Sequence, residues 1–249
     1  MIIIPAIDLL EGECVRLHQG RYSQATVYYK DPVEVARLFE SAGAKRIHIV
    51  DLNAARGKGR SNRRTIKKIR QAVACMLEVG GGIRTDKDVL ELIEIGIDRL
   101  VLGTVFANET GTVAQWINRY GKLFMAGIDA FNGDVRISGW EEGTGITDTS
   151  LAVKAKEIGI ASIIYTNISK DGTLEGPDIK NTRRMARLSG LPLILSGGIG
   201  SEKDIMAVIR TGDPSIVGII TGKALYEGKF LLEDIIKKYQ NDKKAGMEW

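Results

Sequence analysis

LEVGGGIRTDKDVLELIEIG (Leu77–Gly96) returns in the second half of the chain as LILSGGIGSEKDIMAVIRTG (Leu193–Gly212). In each copy a short apolar run passes through consecutive glycines into a helical pattern that opens on Thr or Ser and stops at Gly96 or Gly212. This is a strand, a loop and a helix, with start and stop signals in their usual order. Gly81 and Gly197 lie 116 positions apart, as do Gly96 and Gly212, so the whole unit is in phase. Upstream, RIHIVDLNAARG recurs as SIIYTNISKDG, which sets Asp51 opposite Thr166 and Gly57 opposite Gly172 at a spacing of 115. Downstream, RLVLGTVF recurs as VGIITGKALY, pairing Gly103 with Gly222 at 119. PAIDLLEG at the start of the chain recurs as AGIDAFNG, pairing Asp8 with Asp129 at 121. Four blocks in one order, with offsets that drift only by short insertions, imply that a half unit was duplicated and fused.

The rest of the chain follows the same rhythm. Short Ile/Val/Leu runs predict strands at Ile2–Ile7, Arg46–Asp51, Met76–Val79, Arg99–Leu102, Phe124–Ile128, Ser162–Thr166, Leu193–Leu195 and Ile216–Ile220. Their lack of polar alternation is what parallel strands covered on both faces show. Helical segments occupy the intervals, making eight of each. DPVEVARLFESAG begins with Asp31 as cap and Pro32 in the first turn and stops at Gly43, and TDKDVLELIEIG carries Val89, Leu90, Leu92 and Ile93 on an apolar stripe. Eight right-handed βα units close into a (β/α)8 TIM barrel, here built from two homologous half-barrels at about residues 1–122 and 123–240 of a single domain spanning 1–249. An open doubly wound sheet is the alternative, but two-fold repetition of four units favours closure. The polar tail Asn241–Trp249 is expected to fray.

Composition agrees with one sizeable domain and narrows the partners. The chain has 249 residues, of which 44% are hydrophobic, enough for a large core. A net charge of +4 permits nucleic-acid binding, yet the basic runs RSNRRTIKKIR and DIKNTRRMAR read as solvated helix faces, so no nucleic acid is expected. A modest positive charge suits an anionic small molecule. Cys14 and Cys75 lack metal-ligand spacing and are expected to be reduced thiols of a cytoplasmic protein. MIIIPAID reads as a first strand, not a signal peptide, and no segment is long enough to span a membrane.

Barrel enzymes do their chemistry at the carboxyl ends of the strands. Asp8 ends the predicted first strand and Asp129 the fifth, on opposite sides of the barrel mouth. One such aspartate has a helix cap as its ordinary role; a matched pair inside a repeat points to acid–base chemistry. The glycine loops point to phosphate, because backbone N–H groups there approach an anion closely. Gly197, Gly198, Gly222 and Lys223 follow the seventh and eighth strands, and Gly81, Gly82, Gly103 and Thr104 hold the equivalent places in the first half. Tight turning alone would also call for glycine. Four such loops paired by symmetry predict a substrate with a phosphate at each end.

PAIDLLEGECVRLHQG, the DP-initiated helix, IHIVDLNAARG, VGGGIR, VLGT, GIDAFNG, GW, TNISKDGTLEGP, SGGI and GKALYEG together resemble the isomerase family of histidine biosynthesis, whose members rearrange N′-phosphoribosylformimino-5-aminoimidazole-4-carboxamide ribotide. The resemblance covers nearly the whole chain. It implies a TIM barrel, a substrate with two ribose phosphates gripped by the repeated glycine loops, and an Amadori rearrangement of an aminoaldose to an aminoketose with no cofactor or metal. It matches Asp8 to the family's general base and Asp129 to its general acid, a role that requires a raised pKa. It further places Thr166 near the reacting centre, Asp171 of KDGT against the substrate, and Trp140 stacked on the imidazole ring. Arg16 and Arg84 are candidates for substrate anions, although a surface salt bridge is the ordinary fate of a lone arginine. His48 precedes Asp51 by three in a strand, so alternation sets it on the other face, and the family uses it near substrate.

Two relatives share the repeat. The cyclase subunit of imidazole glycerol phosphate synthase has a lysine soon after the first aspartate, in a pattern like LDVKDG, where this chain has Leu9-Leu10-Glu11-Gly12. A bifunctional relative that also isomerises phosphoribosylanthranilate has an arginine two residues before the loop tryptophan; Ser138 stands there, with Arg136 nearby. A single activity is therefore expected, carried by a monomer. The segment Asn132–Asp148 is long and glycine-rich for a βα connection and reads as a closing loop. The competing class, a silent barrel that binds a phosphorylated metabolite, would need the glycine sites but not the two aspartates.

Overall fold

The computed structural model describes residues 1–240; the tail expected to fray lies outside the described residues. Twelve strands form, β1 (Ile2–Leu10), β2 (Glu13–His18), β3 (Arg21–Tyr29), β4 (Arg46–Asp51), β5 (Met76–Gly80), β6 (Arg99–Leu102), β7 (Phe124–Phe131), β8 (Asp134–Ile137), β9 (Glu142–Thr147), β10 (Ile163–Asn167), β11 (Leu193–Ser196) and β12 (Ile216–Thr221). Eight of them run parallel in the order β10, β11, β12, β1, β4, β5, β6, β7, and the β10–β7 ladder closes the ring. The chain is thus a (β/α)8 barrel, and the open sheet is excluded.

The remaining four strands were not expected. β2 and β3 form an antiparallel ribbon that extends β1, and β8 with β9 does the same for β7. The supposed closing loop Asn132–Asp148 is largely this second ribbon. β3 and β9 are mostly exposed and β8 is only four residues long, so these ribbons lack the continuous apolar runs by which a buried strand is recognised, although β2 buries Cys14, Val15 and Leu17. Consequently β1 and β7 do not end at Asp8 and Asp129 but run on to Leu10 and Phe131. Helices also exceed the expected eight, because single-turn pieces such as Leu52–Arg56, Thr104–Asn108 and Lys223–Tyr226 precede or replace the longer ones.

Capping explains where the long helices start. Thr85 and Asp88 form a capping box before Asp86–Ile95, and Ser201 and Asp204 repeat it before Glu202–Arg210. In each copy the aspartate accepts from the two preceding backbone N–H groups, Arg84 and Thr85 at 3.1 and 2.8 Å, and Gly200 and Ser201 at 3.0 and 2.9 Å. Of the predicted stripe on the first of these helices, Val89 and Leu92 are buried, whereas Leu90 and Ile93 are 38% and 37% exposed. Only the three-residue spacing from 89 to 92 faces the barrel; the neighbours one position on turn away.

The barrel interior holds Ile2, Ile4, Ala6, Val101, Met125, Ile164, Ile194 and Ile220. β4 and β5 break this aliphatic lumen with Arg46, His48 and Glu78, all buried. Ladder register corrects one sequence match. Asp8 pairs with Val50 and Asp129 with Thr166, so the counterpart of Thr166 is Val50, not Asp51. Asp51 corresponds to Asn167, and both serve loops: Asp51 caps the helix Leu52–Arg56 and accepts from Ser61 and Asn62, while Asn167 accepts from Ser169.

The loop before the second capping box shows why glycine is required there. Gly198 sits at φ 84°, and a Cβ would press into the backbone of Gly176, whose N–H donates to the Gly198 carbonyl at 2.9 Å. Gly198→Ala combines left-handed strain with a backbone clash and is expected to cost about 2 kcal/mol or more. A thermal melt checks this, with a fall of roughly 4–8 °C expected for a chain of this size.

Candidate active site

One cavity opens at the carboxyl ends of the barrel strands, and every residue singled out from the sequence lines it. Asp8 and Asp129 enter from β1 and β7, on opposite sides of the ring, with Arg16 beside the first, Thr166 beside the second and Asp171 facing the same cavity. The four glycine loops complete the wall, Gly81 and Gly82 with Gly103 and Thr104 on one side and Gly197 and Gly198 with Gly222 and Lys223 on the other. Gly103 and Gly222 adopt matching backbone angles, φ −108° and ψ −88° against φ −128° and ψ −89°, each opening a short helix.

The two aspartates are held by their own ribbons, in chemically different ways. Arg16, on β2, donates from Nη1 to Asp8 Oδ2 at 2.7 Å, and its other amino group donates to the Ala6 carbonyl. Its guanidinium lies 5.1 Å over the Tyr226 ring and fits there because residue 222 is glycine; a Cβ at 222 would strike it. Side chains of the pair are only 12% and 16% exposed, so this is not the surface bridge that is a lone arginine's ordinary fate, and Arg16 lines the cavity with one amino group committed to Asp8. Trp140, in the turn between β8 and β9, donates its indole Nε1–H to Asp129 Oδ2 at 2.8 Å. A full positive charge therefore meets one carboxylate, and a neutral donor the other.

Protonation follows. Burial raises the pKa of Asp129, against the opposing pull of hydrogen bonds from Trp140 and Thr166 and of the nearby His48. Asp171 is pushed up to about 7 by burial and then by the charge of Asp8, with Arg16 opposing and Asp129 adding to the rise. Lys223 reaches the same loop, donating to the Gly172 carbonyl at 2.8 Å.

The turn that carries Trp140 is strained. Ser138, Gly139 and Trp140 all take positive φ, at 56°, 68° and 72°, which for the two non-glycine residues costs on the order of 1–3 kcal/mol each. Compensation comes from the Trp140–Asp129 bond, from Ser138 N–H to Thr104 Oγ1 at 3.1 Å and from Arg56 to Glu141 at 2.7 Å. Trp140 packs its ring where Gly20 of the other ribbon leaves room, so the two ribbons meet over the cavity. Arg84 is exposed and donates to the carbonyls of Ala54 and Ala55 at 2.9 and 2.8 Å, fastening the helix Leu52–Arg56 in place of making a salt bridge.

Sequence reasoning missed Glu78, Tyr226 and Thr221. Glu78 stands inside an apolar strand, LEVG, and a carboxylate there is itself a signal. The Tyr226 hydroxyl donates to the Ala6 carbonyl at 3.0 Å and its ring supports Arg16, which nothing local in GKALYEG announces. Thr221 is 1% exposed, lines the cavity and has a hydroxyl without a protein partner.

Comparison with known proteins gives the same direction. A family model described as histidine biosynthesis protein matches residues 2–231. A protein of Prochlorococcus marinus (strain MIT 9211), 44% identical over 241 residues covering 97% of this chain and 94% of its own, is named 1-(5-phosphoribosyl)-5-((5-phosphoribosylamino)methylideneamino)imidazole-4-carboxamide isomerase. Proteins of Thermodesulfovibrio yellowstonii and Caldanaerobacter subterraneus bear the same name, 42% and 41% identical over 242 residues, covering 97% of this chain and 98% and 99% of theirs.

Proposed function

The chain belongs to the histidine biosynthesis protein family, and from that premise we propose that it isomerises the bis-phosphorylated aminoaldose ribotide to the corresponding aminoketose, with Asp8 as general base and Asp129 as general acid. The observation that carries the assignment of roles is the unequal pairing of the two aspartates. Arg16 sets a full positive charge against Asp8, placed as the base, whereas burial favours the neutral form of Asp129, which an acid must have.

The steps balance without an external reductant or oxidant. Asp129 protonates the ring oxygen of the sugar as its bond to C1′ breaks, and the lone pair of the attached nitrogen forms a C1′=N double bond. Asp8 removes the proton from C2′; the released electron pair forms C1′=C2′ and the C1′=N pair returns to nitrogen. The resulting enolamine then loses its hydroxyl proton and gains one at C1′, giving the ketose. The repeated glycine loops hold the two phosphates at opposite sides of the cavity, so the sugar lies between the carboxylates. Trp140, released from Asp129, stacks on the imidazole ring, and Thr166 steadies Asp129. Both cysteines are free thiols, in keeping with a cytoplasmic protein, which we take to act as a monomer on a small molecule.

A second reading makes Asp171 the acid, favoured by its pKa of about 7 and its position among the same groups. Activity on phosphoribosylanthranilate is the less favoured extension, because Arg136 is turned toward Asp134, with Nε 3.3 Å from Oδ2. Growth rescue separates these functions. The gene is expected to restore growth without histidine to a strain lacking the isomerase, and to leave a strain lacking the anthranilate isomerase dependent on tryptophan. Failure in the first strain, with the protein expressed and folded, overturns the reading.

A further inference from the structure

We propose that Glu78 is a positioning residue for this reaction, holding His48 in one tautomer and one orientation against Asp129 and the sugar. The inference rests on the isomerase reading above for what His48 serves, but its geometry stands independently. His48 and Glu78 are partners in the β4–β5 ladder, and His48 Nδ1 lies 2.8 Å from Glu78 Oε1. The second oxygen of Glu78 accepts from Arg46 at 3.2 Å, and Glu78 and Arg46 are 0% and 1% exposed. With Arg46 donating to its other oxygen, the Glu78 carboxylate accepts at Oε1, so Nδ1 carries the proton and Nε2 is left for the cavity that the ring lines. From there the ring and Asp129 line the same cavity. An imidazole held in this way by a carboxylate is a recurrent means of fixing which nitrogen faces the chemistry.

The other half of the barrel shows that the fold does not need this polar pair. The ladder positions that correspond to His48 and Glu78 are Ile164 and Ile194, neighbours in the β10–β11 pairing and members of the aliphatic lumen. Ser162 stands where Arg46 does. Aliphatic residues therefore suffice at these places, and burial of a charged cluster is a cost that packing alone does not call for. The polar cluster occurs only in the half that faces Asp129 with a histidine.

Because the chain has two histidines, His18 and His48, nitrogen-15 imidazole spectra resolve the question directly. In the wild-type protein His48 is expected to be protonated at Nδ1, its signals being those lost in His48→Gln. Glu78→Leu is expected to mix the tautomers and lower kcat for the ribotide about tenfold or more, the scale on which a misplaced group slows turnover, with KM nearly unchanged. In a His48→Gln background the same substitution is expected to cost nothing further, since a residue that acts through another shows no independent effect. If Glu78→Leu alone does not fold, Arg46→Met with Glu78→Leu removes both charges and carries the same comparison. A wild-type His48 with a bare Nδ1, or losses that multiply in the double variant, overturns the proposal. A wild-type protein without turnover overturns the isomerase reading instead, and leaves the tautomer to decide the role of Glu78.

Discussion

Asp8→Asn is expected to lower kcat on the ribotide by about 10³-fold, the middle of the ~10²–10⁴-fold range of positioned proton transfer. Asparagine keeps the shape of the side chain and its place in β1 but cannot take the C2′ proton. KM should stay within a few-fold, because the loops proposed to hold the phosphates do not include Asp8, and a loss confined to kcat marks an interaction made only in the transition state. Arg16 loses its counter-charge, yet keeps its bond to the Ala6 carbonyl and its seat over Tyr226. A melting curve alongside the kinetics separates lost chemistry from lost stability. A variant that folds and retains turnover within about tenfold removes Asp8 from the base position.

The second large effect belongs to the acid and distinguishes two neighbours. Asp129→Asn is expected to reduce kcat by about 10²–10³-fold, whereas Asp171→Asn should reduce it by about tenfold. The reverse order would assign the acid to Asp171. Asp171 also supplies a pH dependence whose sign is fixed. With a pKa raised to about 7, it is neutral below that pH and charged above it. As pH rises through 7 a negative charge appears in a cavity that must receive two phosphates, so KM should rise, and this rise should vanish in Asp171→Asn. A KM that is flat across this range in the wild type means that Asp171 is not titrating there.

The barrel was largely legible because parallel strands buried on both faces are continuous runs of Ile, Val and Leu, and because each half repeats the other. The strand ends were less legible for a related reason. Asp8, Asn167, Ser196 and Thr221 remain within their ladders, but three of the four face the cavity, and their polarity made the strands read shorter than they are. The two ribbons were invisible as strands, since β3 is mostly exposed and β9 is rich in glycine. With them went the pairing of Arg16 with Asp8 and of Trp140 with Asp129, contacts set by how each ribbon folds back over its own strand. Asp8, Asp129 and the glycine loops stood out because motif and symmetry agreed on them, whereas Arg16, His48, Arg84, Trp140, Thr166 and Asp171 rested on the resemblance; all of them line the one cavity. Glu78 could have been found from its oddity in LEVG; Tyr226 could not, because its role depends on a guanidinium that arrives from more than two hundred residues away.

This barrel is proposed to perform an acid–base isomerisation at a cavity framed by two unlike aspartates. Purified wild-type protein and the Asp8→Asn variant, each given the aminoaldose ribotide and followed by the absorbance change on ketose formation, test it most directly. Steady conversion by the wild type and almost none by the variant are expected, with both proteins folded. Equal rates from the two, or no conversion by a folded wild-type protein that still binds the phosphorylated substrate, would contradict it.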